Sequence, residues 1–177
     1  LHDEILRVRM VCVERAFTRI PRILRDAARG EDKKVNLNLE GSETEIDKNI
    51  LEAMNDPLLH LIRNTVSHGV EDPEERARAG KPEIAQITVR ATQEGNQVVL
   101  EVEDDGHGID PDKLRRIAAN KGLLTVEQAA GLNDAEVMEL IFEPGFSSAE
   151  EVNELSGRGV GLDVVRNVTN RFNGSVS

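Results

Sequence analysis

The sequence predicts one domain that contains both helices and strands. Apolar residues recur three or four positions apart in residues 1–28 and again between Ile46 and Val70, a spacing typical of amphipathic helices. Residues 35–40 alternate strictly between apolar and polar side chains, as a half-buried strand does. A length of 177 residues is sufficient to bury one substantial core.

Composition excludes several classes of protein. The net charge is -11, with 33 acidic against 22 basic side chains, which argues against a nucleic-acid-binding surface because such a surface needs clustered Lys and Arg. The single cysteine, Cys12, rules out an internal disulfide and is expected to be a small buried side chain in a reducing compartment. Because no apolar run reaches membrane-spanning length and no signal peptide is present, we expect a cytoplasmic protein without membrane insertion.

The first half of the chain is predicted to be mostly helical. Residues 1–28 follow a helical spacing, and Pro21 must bend or restart that helix. A turn at residues 30–34 leads into the strand of residues 35–40, and residues 46–54 are spaced like another helix.

The helix that follows carries an unusual polar face. Asp56 and Pro57 resemble an N-cap and a first helical residue, and Gly69 marks the approach to the C-terminus. At about 100° per residue, one face is polar and the other is apolar. The polar face carries His60, Arg63, Asn64, Ser67, His68 and Glu71. Such side chains coordinate metals and hydrogen-bond to phosphates, although an ordinary amphipathic helix facing solvent would also explain them.

The second half begins with a hairpin. A charged connection from Glu71 to Pro82 contains Gly80-Lys81, which lacks the following Ser or Thr of a phosphate-binding P-loop. Two strands follow at residues 85–92 and 97–103, and Gly95-Asn96 suits the turn between them.

Helices are expected in the remainder of the chain. Asp110 is expected to cap a helix that Pro111 opens, and residues 125–142 to form two short helices that separate at Gly131. A last helix is predicted from Leu162 to Phe172, and Asn173-Gly174 leads into what the pattern suggests is the beginning of another strand.

Three further motifs carry possible chemistry. Asp104 lies at the end of a strand in Asp104-Asp-Gly-His-Gly108, where a buried carboxylate could accept a hydrogen bond from an exocyclic amine such as that of adenine, although Asp-Gly pairs also mark plain turns. The run Gly157-Arg-Gly-Val-Gly161 opens a helix, whose bare N–H groups suit phosphate, or it is a flexible loop. Phe142 and Phe146 flank Pro144-Gly145 and either anchor a movable lid or fill the core.

Four stretches in this order resemble the GHKL ATPase family, and within it the ATP-binding domains of chemotaxis histidine kinases. They are His60-Leu-Ile-Arg-Asn-Thr-Val-Ser-His-Gly-Val-Glu71, Glu101-Val-Glu-Asp-Asp-Gly-His-Gly-Ile-Asp110, Phe142-Glu-Pro-Gly-Phe-Ser147 and Ser156-Gly-Arg-Gly-Val-Gly-Leu-Asp-Val-Val165. The likeness extends from about Arg7 to the end of the sequence. It implies an α+β fold: a two-layer sandwich with a mixed sheet, helices on one face and a mobile ATP lid at residues 143–160.

The resemblance also implies roles for individual residues. Asn64 matches the Mg²⁺ ligand, and His60 matches the group beside the metal and the γ-phosphate, so that both are expected in catalysis and at the metal. Asp104 matches the acid that reads adenine, and Gly106 and Gly108 match its turn. The expected phosphate-side contacts are Gly157, Gly159 and Gly161 of the phosphate loop and, in addition, Arg63, His68 and Lys113. ATP and Mg²⁺ are the expected cofactors.

The family's biology supplies the expected partners. The acceptor is a histidine on a separate phosphotransfer domain, and response regulators act downstream. Chemoreceptor and adaptor proteins would bind through other domains, and a homodimer would form through a preceding domain. Residues 1–9 resemble the end of that dimerisation helix, and residues 10–177 the kinase domain. Its final glycine-threonine block is expected beyond Ser177.

Two positions discriminate between functions within the resemblance. ATP-hydrolysing relatives place a Glu, which activates water, where this chain has His60, so the position favours a kinase over a hydrolase. Ser67 stands where relatives commonly have Asp, so one polar contact beside His68 is expected to be missing or replaced. The alternatives are a non-catalytic docking module with the same fold and an ATP-driven clamp.

Overall fold

The computed structural model describes residues 9–146 and 161–177. The chain divides into two compact units, residues 1–108 and residues 109–177, which are described in turn. The expectation about the dimerisation helix falls largely outside the described residues, as do Gly157, Gly159 and most of the expected lid.

The first unit contains a three-stranded mixed sheet. Its strands are β2 (Val35–Glu40), β4 (Ala85–Glu94) and β5 (Gln97–Asp104). β4 lies in the middle, parallel to β2 and antiparallel to β5. Gly95 adopts a φ of 59° in the two-residue turn that joins β4 to β5, which a glycine permits without strain. The predicted strands and hairpin are therefore confirmed.

Two helices cover one face of this sheet. They are α2 (Ile20–Gly30) and α3 (Lys48–Asn64). Alternate residues of β4, namely Ala85, Ile87, Val89 and Ala91, are buried in one hydrophobic cluster with residues of both helices. The opposite side of the sheet is polar: Arg90 pairs with Glu40 of β2 at 2.6 Å and with Glu101 of β5 at 3.2 Å. One covered face and one polar face make a two-layer α+β sandwich, as expected.

The start of the first unit differs from the predicted helix. Residues Met10–Cys12 form strand β1, which pairs antiparallel with β3 (Glu45–Asp47), and α1 (Glu14–Phe17) is a single short turn of helix. Pro21 does restart the helix, since it lies in the first turn of α2. Cys12 is exposed, so the expectation that it is buried is wrong, because on a short strand alternate side chains face outward.

The helices predicted at residues 46–54 and from Pro57 onward are one continuous helix, α3. Asp47 caps it by accepting a hydrogen bond from the Asn49 N–H at 2.8 Å, and Pro57 lies inside the helix. The helix start predicted at Asp56-Pro57 is therefore wrong. Pro57 removes one hydrogen-bond donor from the helix, but it is buried, and its packing contributes to the face that covers the sheet.

The second unit is helical in its described part. It contains α5 (Pro111–Asn120), α6 (Val126–Gly131), α7 (Asp134–Glu139) and α8 (Leu162–Arg171), while α4 (Pro73–Arg78) belongs to the first unit. Leu114, Ala118, Val137 and Phe146 form a small core of their own. Asp110 caps α5, and the short helices separate at Gly131 as predicted. Residues 174–177 do not form the further strand that the pattern suggested.

No helix in residues 9–146 or 161–177 is both long and apolar enough to cross a membrane.

Candidate nucleotide-binding site

The polar face of α3 brings His60 and Asn64 into contact. These residues lie one turn apart, and the Asn64 Nδ2 atom is 3.0 Å from His60 Nε2. In this arrangement the Asn64 amide group is the donor and the ring nitrogen of His60 is the acceptor. The amide oxygen of Asn64 is not used in this hydrogen bond. Arg63 and His68 are exposed on the same part of the helix.

A π-helical turn follows α3 directly. It spans Thr65–Gly69, and the Val70 N–H donates to the Thr65 carbonyl oxygen at 2.9 Å, five residues back. Thr65 Oγ1 also donates to the Leu61 carbonyl oxygen at 3.0 Å, a local bond that bends helices. Such single π turns occur frequently at functional sites, where they add one residue to a helix and change the direction of the chain that follows.

The end of this turn is held by Lys33. Its ammonium group donates to the carbonyl oxygens of Val66 at 2.8 Å and Ser67 at 3.1 Å, and so satisfies carbonyl groups that a helix end leaves unpaired. Ser67 Oγ donates to the Glu31 carboxylate, which also pairs with Lys33 at 2.8 Å. Ser67 therefore bonds to the loop after α2.

Asp104 lies at the end of β5, beside the π turn. The sequence suggested a buried carboxylate, but Asp104 is exposed, so that expectation is wrong. The Gly106 N–H donates to Asp104 Oδ1 at 2.9 Å, and the His107 N–H donates to the Gly69 carbonyl oxygen at 3.0 Å. These bonds join the turn of residues 104–108 to the end of the helix that carries Asn64. Gly69 is five residues beyond Asn64, or about 7 Å along a helix axis.

Gly69 and Gly106 allow the turn to approach the end of the helix closely. A Cβ atom on Gly106 would lie 1.9 Å from the Gly69 carbonyl oxygen, and one on Gly69 would lie 3.2 Å from Asp104 Oδ2. Gly108 adopts a φ of 71°, in the left-handed region that favours glycine. Position 106 therefore requires glycine because a side chain would collide with the Gly69 carbonyl group. Position 108 favours glycine because its φ is positive.

Replacing Gly106 by alanine is expected to lower the free energy of unfolding by about 1–3 kcal/mol, because the new methyl group must displace the Gly69 carbonyl group. Urea denaturation measures the loss. Gly131→Ala is the control, since a Cβ there has no atom within 4 Å and the residue ends a helix. This control should be neutral or slightly stabilising. A Gly106→Ala protein as stable as the wild type would contradict the close contact.

An ion cluster with a buried centre lies next to the turn. We name it the Glu71 cluster, and it consists of Glu71, Arg76, Lys81 and Asp105. Only 1% of the Arg76 surface and 8% of the Glu71 surface are exposed. Arg76 pairs with Glu71 at 3.0 Å and with Asp105 at 2.9 Å, and Lys81 pairs with Glu71 at 2.6 Å. Both cations thus neutralise the buried Glu71 carboxylate.

The pKa of Glu71 depends on two opposing effects, burial and the neighbouring cations. Burial alone raises the pKa of this carboxyl group, but the hydrogen bonds and charges of Lys81 and Arg76 outweigh burial and lower the pKa below its ordinary value. Glu71 is therefore ionised at neutral pH. It does not lie on a solvated polar face, where the helical periodicity placed it, because the π turn ends before it and the backbone at Val70 is extended.

The remaining predicted residues belong to the second unit. Lys113 is exposed in the first turn of α5, and Gly161 is the N-cap of α8. Phe142 and Phe146 are buried, which agrees with their interpretation as core residues. Lys121 donates to the Gly145 carbonyl oxygen at 3.3 Å and also to the Phe146 carbonyl oxygen.

The donor atoms of the first unit fit a magnesium nucleotide. Within the described ranges, no three His, Cys, Asp or Glu side chains gather to hold a metal ion. Mg²⁺ in nucleotide sites commonly uses one or two protein oxygens together with substrate phosphates, and the amide oxygen of Asn64 is such a hard ligand. The exposed Asp104 carboxylate, beside two glycines without side chains, suits a flat base that donates a hydrogen bond.

Sequence reasoning missed the π turn and the Glu71 cluster. Arg76 lies in the run Glu74-Glu-Arg-Ala-Arg78, whose composition is typical of a solvated helix. Lys81 follows Gly80 in a pair that lacks the sequence of a phosphate-binding loop, and no local pattern predicts its contact with Glu71. The one available signal was the π turn's Gly69, since a glycine near a helix end allows another part of the backbone to approach closely.

Comparison with known proteins identifies the family. The family described as histidine kinase-, DNA gyrase B- and HSP90-like ATPases matches residues 53–177. The chain is 46% identical over 177 residues to the chemotaxis protein CheA of Bacillus subtilis, covering 100% of this chain and 26% of the relative. It is 44% identical over 172 residues to the sensor histidine kinase CheAY of Helicobacter pylori, covering 97% of this chain and 21% of the relative.

A third relative has a different name. The gliding motility regulatory protein of Myxococcus xanthus is 44% identical over 174 residues, which cover 98% of this chain and 22% of the relative. The chain thus spans about a quarter of the length of these curated relatives. With its sandwich, its Asn64 helix and its Asp104 turn, the chain belongs to the family of histidine kinase-, DNA gyrase B- and HSP90-like ATPases, and it matches the ATPase domain of CheA chemotaxis kinases.

Proposed function

We propose that this chain is the catalytic domain of a chemotaxis-type histidine kinase, which transfers the γ-phosphoryl group of ATP to a histidine on a separate phosphotransfer domain. The observation that carries the proposal is the contact between two parts of the first unit. The turn that bears Asp104 bonds to the end of the helix that bears His60 and Asn64. On this proposal, the Asp104 carboxylate and the Asn64 amide and His60 imidazole serve one nucleotide, and the backbone contact between their two segments supports it.

Asp104 would recognise the base. Its Oδ1 atom already accepts from the Gly106 N–H, and the exposed carboxylate has further acceptor positions for the exocyclic amine of adenine. Guanine has a carbonyl oxygen in place of this amine and cannot donate there. Gly106 and Gly108 would keep the turn compact beneath the base.

Asn64 would supply the direct protein ligand for Mg²⁺. Its Nδ2 group is used by His60, which fixes the orientation of the amide and keeps the oxygen available to a hard cation. His60 would thus orient the metal ligand and lie beside the γ-phosphate. Arg63 and His68 of the same helix, Lys113, and Gly157, Gly159 and Gly161 are proposed as phosphate-side contacts.

The residues of this chain would act mainly by positioning and by neutralising charge. In phosphoryl transfer these two effects supply most of the rate enhancement. Bound Mg²⁺-ATP supplies the phosphoryl group and the charge of the metal. A neutral imidazole on the acceptor is already a nucleophile, so no strong base is needed in the site. His60, rather than a Glu that activates water, is consistent with transfer to a protein instead of hydrolysis.

The partners follow from the kinase assignment and are part of the proposal. The phosphotransfer domain is the substrate, and a response regulator would receive the phosphoryl group next. Receptor and adaptor proteins and the dimer partner would bind through other parts of a longer protein.

The test mixes the chain with γ-labelled ATP, Mg²⁺ and a phosphotransfer domain. We expect label on the acceptor that is lost in acid and kept in base, as phosphohistidine is. Omitting Mg²⁺ with a chelator should remove the signal. Release of labelled phosphate without labelling of the acceptor would support the ATP-driven clamp instead, and neither product would support the docking module.

A further inference from the structure

The Glu71 cluster ends on the backbone of the turn that carries Asp104. Lys81 Nζ donates to the carbonyl oxygens of Asp105 at 2.9 Å and Gly106 at 2.8 Å, in addition to its bond with Glu71. An ammonium group has three donors, and these three contacts use all of them. Lys81 therefore joins a buried carboxylate to two consecutive peptide groups of the turn.

Arg76 holds the same turn through the neighbouring side chain. Its Nη2 atom donates to Asp105 Oδ2 at 2.9 Å, while Asp105 Oδ1 accepts from the Gln86 N–H of β4 at 3.0 Å. Both oxygens of Asp105 are thus used in holding the turn to the cluster and to the sheet. The two adjacent acids therefore differ: Asp104 is exposed, whereas Asp105 attaches the turn to Arg76 and to β4.

We propose that Lys81 and Arg76, through Glu71 and Asp105, are positioning residues that fix the Asp104 turn for recognition of the base. They set the affinity for adenine and the preference for adenine over guanine without touching the nucleotide. This inference rests on the proposed function. The physical basis is that Lys81 holds the turn directly after Asp104 by two of its carbonyl oxygens. A shift of that turn would move the Asp104 carboxylate relative to the helix.

The burial of Glu71 and Arg76 stabilises the arrangement. A buried charge that loses a partner is left unsatisfied, so the surrounding groups strongly resist separation. Arg76 also donates from Nε to the Pro82 carbonyl oxygen at 2.7 Å, so the guanidinium group is held from three directions. The turn is therefore attached to a group of side chains that we expect to move little.

The test variant is Lys81→Met, which keeps most of the side-chain volume and removes the three donors. We expect the affinity for ATP to fall by roughly tenfold to a hundredfold, the range seen when residues behind a binding group are replaced. The affinity for GTP should change by less than about twofold, because guanine makes no amine bond with Asp104. Calorimetry with both nucleotides measures the preference directly.

Lys34→Met is the matched control. Lys34 pairs with Glu83 at 2.6 Å, but both side chains are more than half exposed and neither touches the turn. The control should bind ATP and GTP as the wild type does. Glu71→Gln is a second variant that preserves volume and should reduce ATP affinity in the same direction. Circular dichroism at the assay temperature confirms that each variant is folded.

Amide hydrogen exchange tests the turn without nucleotide. In Lys81→Met the His107 N–H, which donates to the Gly69 carbonyl oxygen, should exchange at least about tenfold faster than in the wild type. Unchanged exchange, or equal losses of ATP and GTP affinity, would overturn the inference and leave the proposed function standing. A wild-type protein without any preference for ATP would overturn the proposed function together with the base-specificity claim.

Discussion

Asp104→Ala is expected to weaken the binding of adenine nucleotides by about tenfold to a hundredfold. The substitution removes a charged acceptor for the exocyclic amine, and a hydrogen bond to a charged group contributes roughly 1.5–3 kcal/mol. It also removes the acceptor that the Gly106 N–H uses at 2.9 Å, so that the turn loses part of its support. Calorimetric titration with ATP and with a non-hydrolysable analogue measures the effect.

Asp104→Asn separates recognition from support of the turn. The Asn oxygen can still accept from the Gly106 N–H, but its amide group then presents a donor where the adenine amine must also donate. The Asn variant should therefore lose nearly as much affinity as the Ala variant. Glu103→Ala is the control, because this exposed carboxylate is adjacent on β5 and points to the opposite face of the strand. Unchanged affinity in both Asp104 variants would remove the basis of the nucleotide assignment.

Asn64→Ala is expected to reduce Mg²⁺-dependent phosphotransfer by at least about a hundredfold. It removes the proposed oxygen ligand, and a metal that stabilises the charge of a transferring phosphoryl group contributes several kcal/mol to the rate. Binding of ATP in the absence of Mg²⁺ should change much less, because Asp104 is intact. The measurement is the initial rate of labelling of a phosphotransfer domain over a range of Mg²⁺ concentrations.

Asn49→Ala is the matched control for this variant. Asn49 is exposed in the first turn of the same helix, and only its backbone N–H takes part in the hydrogen bond with Asp47. The control should keep wild-type labelling and Mg²⁺ dependence. Undiminished labelling in Asn64→Ala would refute the metal-binding role, whereas parallel losses in both variants would point to damage of the helix.

The elements with strong local signals were predictable from the sequence. The alternation of Val35–Glu40 and the Gly95-Asn96 turn predicted the sheet strands within one or two residues, because each signal acts over a few neighbouring positions. Asp110 with Pro111 gave the start of α5 for the same reason. The resemblance to known ATPases supplied the two-layer arrangement, which local patterns alone did not determine.

The first misplaced boundary arose where tertiary packing outweighed a local signal. Asp56-Pro57 has the form of a helix start, yet the helix already begins at Lys48, because Asp47 is a better placed cap and Pro57 is buried among apolar neighbours. Ile46 fits a helical pattern but lies in β3, where its side chain is buried. In both cases the deciding contacts come from residues that are distant in sequence.

Only part of the candidate site could be proposed from the sequence, for a related reason. His60, Asn64 and Asp104 could be named from motifs, because their residue types suit the chemistry. The Glu71 cluster could not, since the burial of Arg76 depends on Asp105, 29 residues later, and on how the π turn redirects the chain. A run of charged residues has the same composition whether it is solvated or fully paired.

The contact between Gly69 and Gly106 has a mechanical consequence. Backbone touches backbone there, with no side chain between the two segments to absorb a displacement. We therefore expect a displacement of the helix end to move the strand end with it. The helix end and the strand end are thus expected to behave as one mechanical unit.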